Sequence, residues 1–411
     1  MKQTEELLTT TPPVRLSIAL GSAVLLGALG TSIANIALPA MTASFEAPLE
    51  AVKNVVVSYL AALTLMGLAA GRLGDRYGSK TVLVIGFAVF ATGSLAALSA
   101  PGLGWLVAAR FVQGAGAAVV MTLPMALIRE TTPKDRMGRA MGLMGTLSAL
   151  GTALGPVIGG ALVPLGGWRA IFALLFALSL PGLLLVTRLP KAQGGASGGP
   201  TSLSAVLSCG LVAKLIVNGL VAIVMMATLV VGPYALESGL GLRLGIVGLV
   251  MAVGPILSMV SGIVSGRLVD RFGTRIVLLT GLVLLACGAA LLAMLPIALG
   301  VSGYVLALVV LTPGYQMFLA ANNTEALAAR SSAESGTVAG LLSLSRNLGL
   351  MAGASLMATI FARASGAVDL HAASHLQVLE AMRTTFLIAA ALALTGLAIT
   401  VLSASHPPKT V

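Results

Sequence analysis

Two arginines lie well inside long apolar runs of this chain, and they are the residues best placed for chemistry. Arg110 and Arg346 are both flanked by stretches dominated by Leu, Ala, Val and Gly. A guanidinium in hydrocarbon is costly unless it faces a partner or a water-filled cavity. Gln113, one helical turn after Arg110, and Asn347, next to Arg346, could share hydrogen bonds with them. We therefore expect these four side chains to line a polar cavity.

Other polar side chains also interrupt the apolar runs. Because polar groups in hydrocarbon need hydrogen-bond partners, such residues either pack against one another or face a ligand. Asn35 could equally cap a kink before Pro39, since proline removes a backbone hydrogen bond. The further candidates for a cavity are Asn35, Asn218, Tyr315 and Gln316.

Carboxylates are absent from the middle of the apolar runs. The chain has 13 Asp and Glu residues, and those nearest to the runs are Glu50, Glu130, Glu237 and Glu325, at run edges. A group that binds and releases a proton would have to be sought among these four. Because the embedded charge is cationic, a cavity lined by it disfavours cations and favours neutral, amphipathic or anionic compounds.

The composition indicates a membrane protein. Of 411 residues, 57% are hydrophobic and 9% charged, against about one quarter charged in soluble domains. This excludes a soluble enzyme, a nucleic-acid-binding module and a disordered protein. The net charge of +11 comes mostly from Lys and Arg in short turns. No Ser-His-Asp set, metal-ligand cluster or phosphate-binding loop is found, so we expect no enzymatic activity, no metal and no cofactor.

Twelve apolar runs are long enough to cross a bilayer, which takes about 20 residues. None alternates like a barrel strand, so the predicted fold class is an all-α membrane protein with twelve transmembrane helices. The predicted spans are roughly residues 16–41, 51–71, 80–99, 103–128, 138–163, 169–188, 209–235, 246–267, 275–295, 299–321, 336–362 and 381–403.

A stretch rich in Gly, Ser and Pro follows the sixth run and predicts a cytoplasmic linker at residues 189–208. It divides the chain into two six-helix bundles, residues 1–188 and 209–411. Lys and Arg are concentrated in the turns on the side that holds both termini, which predicts cytoplasmic termini in an inner membrane. The N-terminus lacks the features of a cleaved signal, so we expect the first run to remain as a helix.

The two halves carry the same short motif. GRLGDRYG at residues 71–78 follows span 2, and GRLVDRFG at residues 266–273 follows span 8, an offset of 195 residues at each matched position. We interpret both as loops in equivalent positions of two parallel, pseudo-symmetric bundles. That architecture suits a binding site between halves that rock about it.

Together with the repeated motif, three further motifs resemble those of the major facilitator superfamily, in particular its drug:proton antiporter branch. They are NIALP at residues 35–39 in span 1, RFVQGAG at 110–116 in span 4 and GTALGPVIGG at 151–160 in span 5. The resemblance implies a cavity lined by spans 1, 4, 7 and 10. It also implies that the span 5 motif, typical of exporters, forms a bent sliding face. The residues of that motif are Gly151, Gly155, Pro156, Gly159 and Gly160.

By the same resemblance, the repeated motif closes the cytoplasmic side. Asp75 is expected to face the start of span 11, and Asp270 the start of span 5; the alternative is that the motif only anchors the topology. The branch usually places an acid in span 1 where this chain has Gly30, which leaves proton coupling open. The predicted gating residues are Gly71, Asp75, Arg76, Gly78, Asp270, Arg271 and Gly273.

The sequence thus predicts a multi-pass inner-membrane transporter that exports small organic molecules, with neutral or anionic compounds favoured, by alternating access and proton antiport. Its expected partners are the small-molecule substrate, protons and the lipid bilayer, without nucleic acid and as a monomer. Two alternatives remain: a metabolite anion exchanger or facilitator, and a membrane sensor that has lost transport.

Overall fold

The computed structural model describes residues 14–131, 137–188, 209–327, 332–366 and 374–404. Within these ranges the regular structure is helical and contains no strand. The predicted linker at residues 189–208 lies outside the described residues.

The described residues before the linker form eight helices. They contain five apolar stretches of 19 residues or more, one of which, Leu49–Gly67, crosses from α3 into α4. In a helix the backbone groups of such a stretch are satisfied internally. The elements are α1 (Val14–Ile36), α2 (Leu38–Phe45), α3 (Leu49–Val52), α4 (Asn54–Tyr77), α5 (Ser79–Leu98), α6 (Leu103–Thr131), α7 (Met137–Gly166) and α8 (Arg169–Thr187).

The second half begins after the linker. Its first helix ends in a short π-helical turn at Ala235–Gly239, where the backbone bonds widen by one residue. The helices are α9 (Cys209–Tyr234), α10 (Leu244–Phe272), α11 (Thr274–Leu327), α12 (Ser332–Ala364) and α13 (His375–Ala404).

The element α11 is a hairpin of two helical arms. Its one non-helical residue is Gly300, with φ 58° and ψ −133°, a conformation that glycine adopts without a steric cost. The arms pack closely: a Cβ at Gly288 would lie 2.5 Å from Leu311 Cα, and one at Gly281 would lie 2.7 Å from Phe318 N. The two arms correspond to predicted spans 9 and 10.

With α11 counted as two arms, the described helices correspond to all twelve predicted spans. Nine described elements are long and apolar enough to cross a membrane, one of them being the α11 hairpin. The other two spans are α7, whose residues 150–166 form a shorter apolar helix, and α12, which is richer in Gly and Ser and contains Arg346.

Span 1 differs from its prediction because the helix breaks near its end. The sequence predicts one helix over residues 16–41, but α1 ends at Ile36 and α2 begins at Leu38. Pro39 is the second residue of α2. Its nitrogen carries no hydrogen, so it cannot donate a hydrogen bond to the Asn35 carbonyl, four residues earlier. The proline itself therefore accounts for the break.

The repeated motif is helical, which corrects its interpretation as a loop. Residues 71–77 form the last turns of α4, and residues 266–272 those of α10. Both helices end at the glycine that closes the motif, with φ 87° at Gly78 and φ 81° at Gly273. A positive φ is typical of helix C-termini and favours glycine, so matched glycines end both copies in the same way.

The described residues fall into two compact units. One contains the residues up to Ala34 and those from Ser58 to Arg188; the other contains Asn35–Val57 and the described residues from Cys209 onward. In the second unit, Lys53 Nζ donates to the Ser355 carbonyl at 3.2 Å and to Thr359 Oγ1 at 2.6 Å, both in α12. The division into domains at residues 189–208 stays a prediction.

Candidate functional site

Arg110 lies at the centre of a buried polar cluster in the first unit. Its side chain is 0% exposed, and its Nη1 and Nη2 both donate to the Gly30 carbonyl of α1 at 3.3 Å. Nη1 also donates to Gln113 Oε1. Gln113 is likewise 0% exposed. It extends the hydrogen-bond network, because its Nε2 donates to Ser94 Oγ of α5 at 2.7 Å. We call Gly30, Tyr59, Ser94, Arg110 and Gln113 the Arg110 cluster.

Aromatic rings complete the surroundings of the guanidinium. Arg110 Cζ lies 4.0 Å from the centroid of the Tyr59 ring and 5.8 Å from that of Phe172. The negative face of an aromatic ring attracts a cation, and the attraction is largest when water is excluded. Tyr59 Oη in turn donates to the Gly27 carbonyl at 3.1 Å. The charge of Arg110 is thus balanced by a carbonyl dipole, an amide oxygen and ring faces.

Gly30 occupies the position where the resemblance leads us to expect an acid, and its backbone supplies the acceptor instead. A Cβ at Gly30 would lie 2.9 Å from Tyr59 Oη and 3.2 Å from Phe90 Cζ, so the cluster fills the space that a side chain would need. Glycine therefore lets Tyr59 approach α1 closely. The acceptor that Gly30 offers to the buried cation is thus a neutral carbonyl.

Small residues bring the helices of the cluster together. A Cβ at Gly114 of α6 would lie 2.9 Å from Tyr59 Cα and closer still to the Tyr59 carbonyl oxygen. A Cβ at Gly93 of α5 would lie 2.5 Å from Gln113 N. These two glycines allow backbone contact of α6 with α4 and with α5, as small residues do between membrane helices.

Arg346 lies in the second unit and has a different environment. Its side chain is half-buried, and its Nε is buried with no hydrogen-bond partner among the described residues. Asn347 beside it is 8% exposed. The sequence predicts a hydrogen bond from each arginine to its polar neighbour. The structure contains this bond between Arg110 and Gln113. For Arg346, by contrast, the Nε donor stays unused among the described residues.

Two of the other predicted cavity residues donate to backbone carbonyls. Asn218 of α9 is 2% exposed and donates to the Leu342 carbonyl of α12 at 2.9 Å. Gln316 of α11 donates to the Ser258 carbonyl of α10 at 3.1 Å, and Tyr315 is half-buried. Asn35 is 1% exposed, two residues before the break between α1 and α2. Their contact with a substrate stays a prediction.

The predicted gating residues lie at equivalent helix ends. Arg76 lies over the ring of Tyr77, and Arg271 over that of Phe272, with 5.3 Å from Cζ to the centroid in both cases. Asp270 is exposed, and a Cβ at Gly71 would meet open space. The side chain of Asp75 lies outside the described residues. So do the side chains at the starts of spans 11 and 5, which are expected to face Asp75 and Asp270. The latch therefore stays a prediction.

The span 5 glycines pack against α1 within the first unit. A Cβ at Gly155 would lie 2.8 Å from Ser32 Cβ and 2.9 Å from Ile33 N, and one at Gly151 would lie 2.5 Å from the Leu25 carbonyl oxygen. The rest of the motif, Pro156, Gly159 and Gly160, is buried as well. The face is therefore a close helix contact, and its sliding role stays a prediction.

The four acids at the run edges have unlike surroundings. Glu50 is exposed, and the side chain of Glu130 lies outside the described residues. Glu237 is half-buried in the π-helical turn that ends α9. Glu325 pairs with Lys214, with 3.0 Å between Oε1 and Nζ.

Sequence reasoning missed Tyr59, Ser94 and the salt bridge of Lys214 with Glu325. These residues are far apart in the chain from their partners, and neither spacing nor motif connects them. One signal was available for Tyr59: it is an aromatic residue with a polar group in a mainly aliphatic span, and such a hydroxyl needs a buried partner.

The long apolar helices of the described residues define a polytopic membrane protein. The chain matches the Major Facilitator Superfamily over residues 20–354 and over residues 215–411. It therefore belongs to this superfamily, as its motifs predict. Members of the family are transporters and not enzymes, so the prediction of a non-enzymatic, multi-pass membrane protein is confirmed.

Solved structures show the same fold. A bacterial homologue of the human lysosomal transporter Spinster, in an inward-facing and occupied conformation, has a TM-score of 0.80 with this chain. The match covers 96% of this chain and 98% of that one at 15% sequence identity, which supports the fold alone. The predicted fold class of twelve helices in two six-helix bundles is thereby confirmed.

The relatives include drug exporters. The multidrug efflux pump LfrA of Mycolicibacterium smegmatis is 26% identical over 414 residues, covering 86% of this chain and 82% of LfrA. The riboflavin transporter RibZ of Clostridioides difficile is 31% identical over 169 residues, covering 41% of this chain and 37% of RibZ. The aligned regions of several other relatives, among them resistance proteins, also cover less than half of the relative's length.

Proposed function

We propose that this protein exports small organic molecules across the inner membrane by alternating access, with neutral or anionic compounds favoured and with protons moving inward. The observation that carries the choice of substrate class is the unused donor of Arg346, deep in α12. A buried N–H without an acceptor has a desolvation cost that a substrate oxygen would remove.

The charges near Arg110 and Arg346 support the same preference. Arg110 is fully buried, and the partners described above, which are the Gly30 carbonyl, Gln113 and two aromatic rings, carry no formal charge. Arg346 forms no ion pair within the described part of the chain. A cavity near such cations attracts anions and repels cations. We infer that quaternary cations are poor substrates.

The direction of transport rests on relatives and on the span 5 motif. LfrA is named as a multidrug efflux pump and aligns over most of both chains. The glycines of the motif, typical of exporters by resemblance, make the close contact of α7 with α1 described above. We place both termini in the cytoplasm on the distribution of Lys and Arg, and we assign Asp75 and Asp270 to a latch on that side.

Proton movement in inverted membrane vesicles tests this function. With the lumen acidified, we expect neutral and anionic compounds to release protons, and cations to release few or none. An Asp75→Asn variant should slow this release if the latch operates. Proton release with cations alone would overturn the substrate class, and substrate movement without proton release would overturn antiport.

Replacing Arg346 with alanine is expected to raise the half-saturating concentration of an anionic substrate by about tenfold, the equivalent of one lost charged hydrogen bond. Uptake of labelled substrate into the same vesicles measures the effect. Arg363→Ala is the matched control, because Arg363 lies in the same helix and is exposed near its end. Equal effects of the two substitutions would remove Arg346 from the site.

A second candidate function is exchange or facilitated movement of a metabolite anion. Two observations favour it: no carboxylate lies mid-span, and a riboflavin transporter is among the relatives. Counterflow distinguishes the two functions. An exchanger or facilitator accumulates labelled substrate against an unlabelled pool when proton gradients are collapsed, whereas the net export proposed above depends on the gradient.

A further inference from the structure

A cavity in the second unit lies apart from the predicted substrate residues. It opens where α9, both arms of α11 and the end of α13 meet. Its polar lining comes from four different helical segments, so the cavity is formed by helix packing and not by a single surface turn. The polar residues that line it are Lys214, Arg275, Asn322, Glu325, Thr400 and Ser403.

The amide of Asn322 has unused hydrogen-bonding capacity. The residue is 1% exposed, and its buried Nδ2 has no hydrogen-bond partner among the described residues. An amide NH₂ only donates, so what it lacks is an acceptor. A ligand that fills this part of the cavity should therefore present an oxygen.

The charges of the lining favour an anion. Lys214 Nζ and Glu325 Oε1 form a salt bridge of 3.0 Å, in which the side chains are 25% and 35% exposed. Arg275, exposed in the first turn of α11, adds a second cation. Two cations and one carboxylate leave one net positive charge beside the unused amide. Such a set of donors suits a phosphate oxygen.

The remaining lining is apolar and continues to the outer surface of the unit. Val217, Leu278 and Leu279 line the cavity. Next to them, Ile276 is 61% exposed and Leu402 is 67% exposed. Large exposed aliphatic side chains on a membrane helix face hydrocarbon, so a polar pocket here adjoins the acyl region of the bilayer.

We propose that this cavity binds the headgroup of an anionic phospholipid. The phosphodiester accepts hydrogen bonds from Asn322 Nδ2 and from the guanidinium of Arg275, while Lys214 stays paired with Glu325. The acyl chains leave along Leu278, Leu279 and the exposed aliphatic surface. The cavity is thus a lipid site on the second unit, and none of the predicted substrate residues lines it.

Native mass spectrometry of the whole protein tests the proposal. The protein is purified in detergent with an equimolar mixture of phosphatidylglycerol, phosphatidylethanolamine and phosphatidylcholine of identical chains. We expect wild-type protein to retain phosphatidylglycerol preferentially. Arg275→Ala should lower its retention about fivefold, the equivalent of about 1 kcal/mol for one cation near a lipid headgroup. Asn322→Leu, which keeps the branched shape of the side chain but removes the amide, should lower it as well.

The matched control is Arg267→Ala. Arg267 is an exposed cation near the end of α10 that precedes Arg275 in the chain but does not line the cavity. Its loss removes one surface cation without touching the site, so retention should stay at the wild-type value if the cavity alone selects the lipid. Because Arg275 is exposed, its variant is expected to fold even if Asn322→Leu does not.

Three results would overturn the proposal. Equal retention of the three lipids would exclude headgroup selection. Equal losses in Arg275→Ala and Arg267→Ala would reduce the effect to general electrostatics. A rise in melting temperature with inorganic phosphate that equals the rise with short-chain phosphatidylglycerol would make the cavity a site for free anions. Substrate uptake, measured separately, does not enter this test.

Discussion

Replacing Arg110 with methionine is expected to reduce transport by at least tenfold, roughly 1.4 kcal/mol or more of lost stabilisation along the transport cycle, while the protein still folds. Methionine fills the buried space of the arginine stem but offers no donor to Gly30 or Gln113. The Gly30 carbonyl keeps its own helical hydrogen bond in α1, because the helix continues to Ile36. The fold therefore loses little when the charge is removed.

The alanine variant separates packing from charge. Arg110→Ala also leaves a cavity beside Tyr59 and Phe172, whereas the loss of the donor to Gln113 Oε1 is common to both variants. We expect it to lower the free energy of unfolding by about 2–4 kcal/mol, in addition to the loss of transport. Arg110→Lys should recover little activity, since a single ammonium cannot bridge the carbonyl and the amide as the planar guanidinium does.

Thermal unfolding in detergent and substrate uptake in vesicles measure the two effects on the same preparations. Arg169→Met is the matched control. Arg169 makes the same kinds of contact, donating to the Ala100 carbonyl at 2.8 Å and lying 4.2 Å from the Trp168 centroid, but it is exposed at the start of α8. It should transport at the wild-type rate. Full transport by Arg110→Met would make Arg110 purely structural.

The helices of this fold could be predicted from the sequence because each is encoded locally. A run of about 20 apolar residues can only satisfy its backbone as a helix in a bilayer, so twelve runs yield twelve spans. The matched positions of Gly78 and Gly273 were visible in the repeated motif, although the predicted helices ended earlier, at about residues 71 and 267. The secondary structure of the motif was predicted wrongly. Residues 71–77 are helical and not a loop, because a short polar segment can extend a helix beyond the membrane.

The partners of the buried side chains could not be predicted in the same way. Gln113 was found because it lies one turn from Arg110 on the same helix. The Gly30 carbonyl and the Tyr59 ring come from α1 and α4, and their approach depends on how the helices pack. The salt bridge of Lys214 with Glu325 likewise joins distant segments. A single sequence records which side chains need partners, but not which helix supplies them.

Gly114→Ala is expected to be a damaging single-methyl substitution in the first unit. The added Cβ would lie 2.9 Å from Tyr59 Cα and 3.0 Å from the Tyr59 carbonyl carbon. These are backbone atoms, so no side chain can rotate away and α4 and α6 must separate. Overpacking of this kind costs about 1–3 kcal/mol.

The same substitution also acts on the Arg110 cluster. Tyr59 is the residue that the methyl group displaces, and its ring lies 4.0 Å from Arg110 Cζ. Cation–ring attraction weakens with distance. Separation of α4 from α6 therefore weakens the stabilisation of the buried Arg110 charge by the Tyr59 ring. We therefore expect Gly114→Ala to lower transport as well as the melting temperature, although the substituted residue makes no polar side-chain contact.

Gly67→Ala is the control that isolates the cause. Gly67 lies in α4, the helix that Gly114 contacts, and a Cβ there would meet no atom within 4 Å. Alanine raises helix propensity by about 1 kcal/mol over glycine, so this variant should be as stable as wild type or more so. Thermal unfolding of both variants compares a methyl group with and without the clash. If Gly114→Ala unfolds at the wild-type temperature, the contact of α6 with Tyr59 is looser than the structure shows, and the Arg110 cluster does not depend on it.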